Sequence, residues 1–228
     1  MESTSLREKL VDFKQSKFTR IKPLNEEQEY CLKLIADNHI TVLLGKSGCG
    51  KTHLAAGFAS YRLNIDKIDK IIISRAGVGS EDLGYKPGSA IEKVGGYLKG
   101  VTNELNQYMD VKDAFKHGTL EIEPIDNMRG MTFKNSCVII EEVQNCTYDQ
   151  LKLILTRFGE NSKFILTGDI SQSDLRQRDK TEIALALKRL DCEVGRENKI
   201  VVFEMQTNVR HPLIDIVLNL LEPPAPVY

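Results

Sequence analysis

The chain is predicted to fold as an α/β domain around a mainly parallel sheet, and three observations carry that prediction. Five short runs, Ile40–Leu44, Lys70–Ser74, Cys137–Glu141, Lys163–Thr167 and Ile200–Glu204, are nearly continuous in Val, Ile and Leu rather than alternating. That is how strands buried on both faces read. Helix-compatible stretches lie between and after them, at Thr52–Arg62, Ile91–Met109, Tyr148–Phe158, Glu182–Leu190 and Leu213–Leu221, and such alternation argues for βαβ units. Finally, 41% of the 228 residues are hydrophobic and 28% charged, which supplies a core and excludes disorder, collagen or coiled coil as whole-chain readings.

The length fits a single domain. Residues 1–24 read as a polar, helix-prone extension, 25–222 as the domain, and 223–228 as a proline-rich tail. Ala76–Ser89 is rich in Gly and Pro and reads as a long loop. An insertion near 115–133 reads as a small hairpin with Leu120-Glu-Ile-Glu123 as one arm. There is no internal repeat or low-complexity block.

Lys plus Arg number 31 against 32 acids, a net charge of −1. A protein that coats nucleic acid regardless of sequence is normally basic, so nucleic acid is left with a local patch. No apolar run approaches the roughly 18 residues that cross a bilayer, so no membrane partner is expected, and the opening residues lack a signal-peptide core. Five cysteines and four histidines form no CxxC or Cys/His metal spacing. The odd cysteine count points to reduced thiols in a cytoplasm, that of a host if the chain is phage-encoded.

The sharpest feature is Gly45-Lys-Ser-Gly-Cys-Gly-Lys51-Thr52, a complete G-x-x-x-x-G-K-[ST] between a strand and a helix. Its glycines let backbone N–H groups close around a phosphate, and the helix N-terminus adds partial positive charge. Lys51 is placed to reach β- and γ-phosphates, and Thr52 to offer a hydroxyl to Mg²⁺. The nucleotide-binding stretch is therefore Gly45, Lys46, Ser47, Gly48, Cys49, Gly50, Lys51, Thr52 and the adjoining His53. Cys49 in the loop reads as a small residue rather than a redox switch.

Cys137-Val-Ile-Ile-Glu141-Glu142 is an apolar strand ending in two carboxylates. One acid must stay with the metal while the other faces the nucleophile, so Glu141 is assigned to the metal's water shell and Glu142 to the attacking water. A second strand end carries Thr167-Gly-Asp169-Ile-Ser-Gln172. There Gln172 is placed to sense a γ-phosphate, and Asp169 to fix the turn through an Asx-type hydrogen bond or support the metal's surroundings.

Taken in order, these residues resemble the PhoH-like P-loop ATPases over roughly Lys22 to Leu218. The resemblance rests on Asn25-Glu-Glu-Gln28, Gly45–Thr52, Ser74-Arg75, Leu83-Gly-Tyr-Lys-Pro-Gly88, Met128–Gly130 and Glu141-Glu-Val-Gln-Asn145. It continues through Leu155–Gly159, Thr167–Gln172 and Val209–Leu213. Glu141 stands where the family has Asp, and Val143 where it has Ala. The resemblance implies a three-layer P-loop NTPase of the RecA-like, additional-strand class, with five core strands in the order 5-1-4-3-2. It also implies an ATPase using ATP and Mg²⁺, with motifs similar to superfamily 1 helicases and some relatives linked to RNA unwinding. By the same resemblance Gln28 reads the adenine edge, and Arg75, Arg129, Arg157 and Arg210 contact phosphate or nucleic acid, with Arg157 and Arg210 foremost as catalytic cations.

Helicases of this motif class hold ATP between two lobes, the second supplying an arginine. This chain carries the motifs of the first, so a homo-oligomer is expected, a hexameric ring being one arrangement that places each ATP at a heterologous interface. Two functions compete. One is an ATP-driven remodeller of single-stranded RNA or DNA, gripping the strand through Tyr85, Lys86 and the glycine loop. The other is a nucleotide-dependent assembly module with slow, unstimulated turnover. A small-molecule kinase fits less well, since no lid-like arginine cluster is present.

Overall fold

The computed structural model describes residues 21–77 and 98–209, with Leu213, Ile216, Val217 and Leu220 beyond them. In chain order these residues form α1 (Glu26–Asp37), β1 (Ile40–Gly45), α2 (Lys51–Asn64), β2 (Lys70–Arg75), α3 (Lys99–Leu105), α4 (Val111–His117) and β3 (Leu120–Ile122). There follow β4 (Ser136–Glu141), α5 (Tyr148–Leu155), β5 (Lys163–Gly168), α6 (Gln177–Leu190), α7 (Glu193–Glu197) and β6 (Ile200–Met205). The strands make one sheet in the order β3-β2-β4-β5-β1-β6, with each neighbouring pair parallel. The five expected strands take the expected order, and β3 is added beside β2.

The strand residues divide between two cores. Leu43, Ile71, Ile73, Cys137, Ile139 and Ile165 pack with α1, α2, α3 and α4 on one face. Val42, Ile72, Val138, Ile140, Phe164 and Leu166 pack with α5 and α6 on the other. Successive side chains point to opposite faces, so a strand covered on both must be apolar at every position, and this is why the runs do not alternate.

Three expectations are corrected. Leu120–Ile122 is not a hairpin arm but an edge strand parallel to β2, with Ile71 opposite Leu120 and Ile73 opposite Ile122. The reason is α4, closed by Gly118 in the left-handed region, which carries the chain back to the starting end of β2. The Ile200 run is not buried on both faces: β6 pairs with β1 and lies at the sheet edge, with residues 200–203 half-buried. The expected helix Ile91–Met109 is described from Leu98 onward, and there α3 stops at Leu105. Asp110 then starts α4 by accepting the Asp113 N–H. Helices α1, α4 and α7 add to those expected, and α6 begins five residues before Glu182. Of Leu213–Leu221, the described positions 213, 216, 217 and 220 are helical.

Because all strands are parallel, Gly45, Arg75, Glu141 and Gly168 end on the same edge of the sheet. Leu44 lies opposite Gly168, and Arg75 opposite Glu141. At the other end, the first residue of β5 secures α1. Lys163 Nζ donates to the carbonyls of Ala36 at 2.7 Å and Ile35 at 3.2 Å, and also to that of Asn38. These include carbonyls of the helix's last turn, which otherwise have no partner within the helix. Lys163→Met should cost about 1–3 kcal/mol, as expected when buried acceptors lose a partner, read as a lower denaturation midpoint. Burial, with the charge of Arg62, lowers the Lys163 pKa from 10.5 to about 8. Between those values the unfolded chain holds more protons at this site, so the site adds stability as pH rises through that range. The same variant should remove that increment.

Candidate nucleotide-binding site

The phosphate loop joins β1 to α2. Gly50 precedes α2 with φ 89°, a conformation that favours glycine, and a Cβ there would lie 2.4 Å from Gln28 Nε2 and displace that amide. Lys51 curls over the loop, with Nζ donating to the Gly45 carbonyl at 2.6 Å and that of Lys46 at 2.9 Å. Cys49 is buried, its Sγ 3.8 Å from the Met205 carbonyl, consistent with a small packing residue. The Val209 N–H donates to the Gly48 carbonyl at 3.1 Å, tying the segment after β6 to the loop.

In front of the loop lies a cleft of about 930 Å³, whose walls include Ser47, Gly48, Lys51, Thr52, Glu141 and Glu142. The Thr52 hydroxyl donates to Glu141 Oε1 at 2.8 Å. Glu141 is buried, and desolvation raises its pKa above 4.5, opposed by the Thr52 hydrogen bond and the charge of Arg75. Glu142 follows with φ 57°, a left-handed conformation rare for a residue with a Cβ. Its carboxylate receives Arg75 Nη2 at 3.4 Å and Gln144 Nε2 at 2.5 Å. Arg75 also borders the cleft.

At the β5 tip, Asp169 Oδ1 accepts from the N–H of Ser171 at 3.0 Å and its hydroxyl at 2.6 Å, the expected Asx-type turn. Among the described residues Asp169 Oδ2 is buried without a hydrogen-bond partner, and Asp169 borders the same cleft as Gln172. Gln28 reaches the cleft from α1. It accepts from the Leu24 N–H at 2.9 Å and donates to the Cys49 carbonyl at 3.0 Å.

Lys51, Thr52, Glu141, Glu142, Gln172 and Gln28 are thus brought together. Arg157 is not. Its Nη1 donates to the Met131 carbonyl at 3.1 Å and its own carbonyl accepts from the Phe133 N–H. Phe133 precedes the start of β4, so Arg157 sits at the opposite end of the sheet from Glu141. Arg129 is exposed and is not part of the cleft wall. Arg210, Tyr85 and Lys86 lie outside the described residues.

On the cleft wall His53 of the expected nucleotide-binding stretch meets two residues that the sequence does not single out. His53 Nδ1 pairs with Glu104 Oε2 at 2.9 Å, and the Tyr108 hydroxyl lies 3.0 Å from His53 Nε2. Burial, then the charge of Glu104, pushes the Tyr108 hydroxyl up to about 12, so it stays protonated. No local pattern marks Glu104 or Tyr108, which reach the site only through the packing of α3 on α2.

The sequence model of the family described as PhoH-like protein matches residues 20–222. The chain belongs to the PhoH-like family. It is 34% identical over 227 residues to the PhoH-like protein of Synechocystis, covering 95% of this chain and 68% of that one. It is 38% identical over 173 residues to Protein PhoH of Escherichia coli K12, covering 73% of this chain and 49% of that one. The chain thus spans about half to two thirds of these relatives' length. In fold it is similar to the large terminase of a thermophilic bacteriophage, with a TM-score of 0.55 at 10% identity over 87% of this chain and 50% of that one. PhoH-like membership and this likeness place the chain in the P-loop NTPase fold. Among the described residues no helix is long and apolar enough to cross a membrane.

The raised pKa of Glu141 has a consequence for stability. Between 4.5 and the folded value the native state holds more protons than the unfolded one. Burial of this carboxyl therefore destabilises the protein increasingly as pH rises through that window. Glu141→Gln, whose amide oxygen keeps the Thr52 hydrogen bond, should melt a few degrees above wild type at neutral pH. The two curves should converge toward pH 4.5.

Proposed function

We propose that this chain hydrolyses ATP with Mg²⁺ and couples that hydrolysis to single-stranded nucleic acid as a homo-oligomer. The observation that carries the reading is Thr52 hydrogen-bonded to Glu141 in the same cleft that holds Lys51, Glu142 and Gln172. Glu141, Thr52 and Asp169 are hard oxygen donors, and among the described residues Asp169 Oδ2 is buried with no hydrogen-bond partner. Such a donor set suits Mg²⁺ held through water and substrate phosphates. When bound, Mg²⁺ supplies charge neutralisation between the β- and γ-phosphates.

The residues divide the work. Backbone N–H groups of the loop hold phosphate, and Lys51 exchanges its loop carbonyls for β/γ-oxygens. Glu142 orients and deprotonates the attacking water, and Gln172 touches the γ-phosphate. Gln28 retains one N–H and one acceptor lone pair beyond its two backbone bonds, the pair an adenine edge needs. With Arg157 away from the cleft, the cation for the transferred phosphoryl group comes from Arg75 or Arg210 in the same chain, or from a neighbouring copy. The nucleic-acid step rests on family resemblance, and slow, unstimulated turnover is the outcome that would favour an assembly module.

The test is steady-state ATPase activity with and without single-stranded RNA and DNA. Lys51→Ala should lower turnover roughly a hundredfold or more. Glu142→Gln should lower it by about 10² to 10⁴ while ATP still binds. Wild-type rates in Glu142→Gln would overturn the base assignment, and turnover indifferent to both strands would overturn the nucleic-acid coupling.

A further inference from the structure

Gln144 is 1% exposed, yet it lies two residues from Glu142 at the end of β4, and the amide has a determined orientation. Its Oε1 accepts the buried N–H of Asp169 at 2.9 Å, which turns Nε2 toward Glu142 Oε2 at 2.5 Å. Arg75 holds the other oxygen of Glu142, so the carboxylate is gripped from two sides. The turn carrying Gln144 is further laced to the β5 tip. Ser173 Oγ donates to the Gln144 carbonyl at 2.9 Å, and the Asp174 N–H donates to Asn145 Oδ1 at 2.8 Å. Gly168 leaves room for this approach, since a Cβ there would lie 2.5 Å from Gln144 Oε1 and 2.8 Å from a Val143 methyl.

We propose that Gln144 is a positioning residue that aims Glu142 and couples it to the Asp169–Gln172 turn. The inference rests on Glu142 serving as the base. The turn that carries the γ-phosphate-facing Gln172 begins at Asp169, whose N–H is held by the same amide that holds Glu142. A displacement of Gln172 by the γ-phosphate therefore reaches the base through one rigid, buried side chain. Burial sharpens the coupling: releasing either end of the amide leaves a buried polar group without a partner.

The experiment compares Gln144→Met, Gly168→Ala, their double variant, Gln144→Glu and Glu142→Gln in the full chain. Each is measured for kcat, KM and affinity for a fluorescent ATP analogue. Gln144→Met and Gly168→Ala should each lower kcat roughly ten- to a hundredfold, the cost of a misplaced catalytic group, with analogue affinity within about twofold of wild type. Gly168→Ala crowds the same amide at 2.5 Å and the Val143 methyl at 2.8 Å, so its loss should overlap with that of Gln144→Met in part.

Gln144→Glu keeps the acceptor for the Asp169 N–H but loses the N–H that Glu142 accepts. It should therefore lower kcat as Gln144→Met does, with analogue affinity held. A purely structural role, satisfied by the retained bond to Asp169, would leave kcat near wild type. Wild-type kcat in Gln144→Met or in Gln144→Glu would each overturn the proposal. Glu142→Gln separates the readings: if it turns over normally, the base assignment falls and this inference with it. If it is inactive while Gln144→Met is unaffected, only the role of Gln144 falls.

Discussion

The hydrogen bond from Thr52 to Glu141 depends on, and reports, the constraint that organises the whole site. Thr52 belongs to the helix that follows β1, and Glu141 ends β4, with β5 between those strands in the sheet. For the two to meet at 2.8 Å, three parallel strands must end at one level. The register ensures this, with Leu44 opposite Gly168 and Ile140 opposite Leu166. A slip of one residue would turn each tip side chain to the other face. The apolar alternation between two helix-covered cores makes such a slip costly, because every strand residue would change cores. Packing of the interior thus holds the geometry of the rim.

At that rim the polar groups are arranged to satisfy one another. Lys51 lies on its own loop carbonyls, Thr52 on Glu141, and Glu142 between Arg75 and Gln144. An ionised Glu141 is disfavoured by burial, and Glu142 sits in a left-handed backbone conformation that costs about 1–3 kcal/mol. Both features are at odds with maximal stability, and both fall on the two acids at the tip of β4. Strain and desolvation concentrated at one strand tip are what a site shaped for a ligand requires, since ligand contacts can return what the free site gives up.

Much of this is legible in the sequence because the signals are local. The phosphate loop is a contiguous motif, and the β-branched runs show strands covered on both faces without reference to any partner. The order of the five core strands comes only through resemblance, since no single run says which run lies beside it. Leu120–Ile122 reads as a hairpin arm for the same reason: three residues of strand carry no direction, and only α4 ahead of them makes the pairing parallel. Gln144 is visible in Glu141-Glu-Val-Gln-Asn145, but nothing there assigns it a role. Its partner is the N–H of Asp169, 25 residues away, and a backbone donor leaves no mark in sequence. Glu104 and Tyr108 are invisible on the same ground, their meeting with His53 being a product of helix packing.

Arg157 shows how the fold limits function beyond motif order. A six-residue strand spans about 20 Å, and β4 separates the Arg157 end of the sheet from the Glu141 end. An arginine side chain is far shorter than that. Its Nη1 and Nη2 are also held by the Met131 carbonyl and Thr156, in contacts that tie the end of α5 to the approach to β4. Under the proposed reading, then, Arg157 serves its own phosphate loop only by holding this scaffold. Direct contact with a transferred phosphoryl group would have to be made in the cleft of another copy, whose exposed mouth must then face the base of this sheet. A head-to-tail contact of that kind would repeat around a ring or along a filament rather than close as a symmetric pair, so under that reading the place of one arginine would tie the chemistry of the site to the form of assembly.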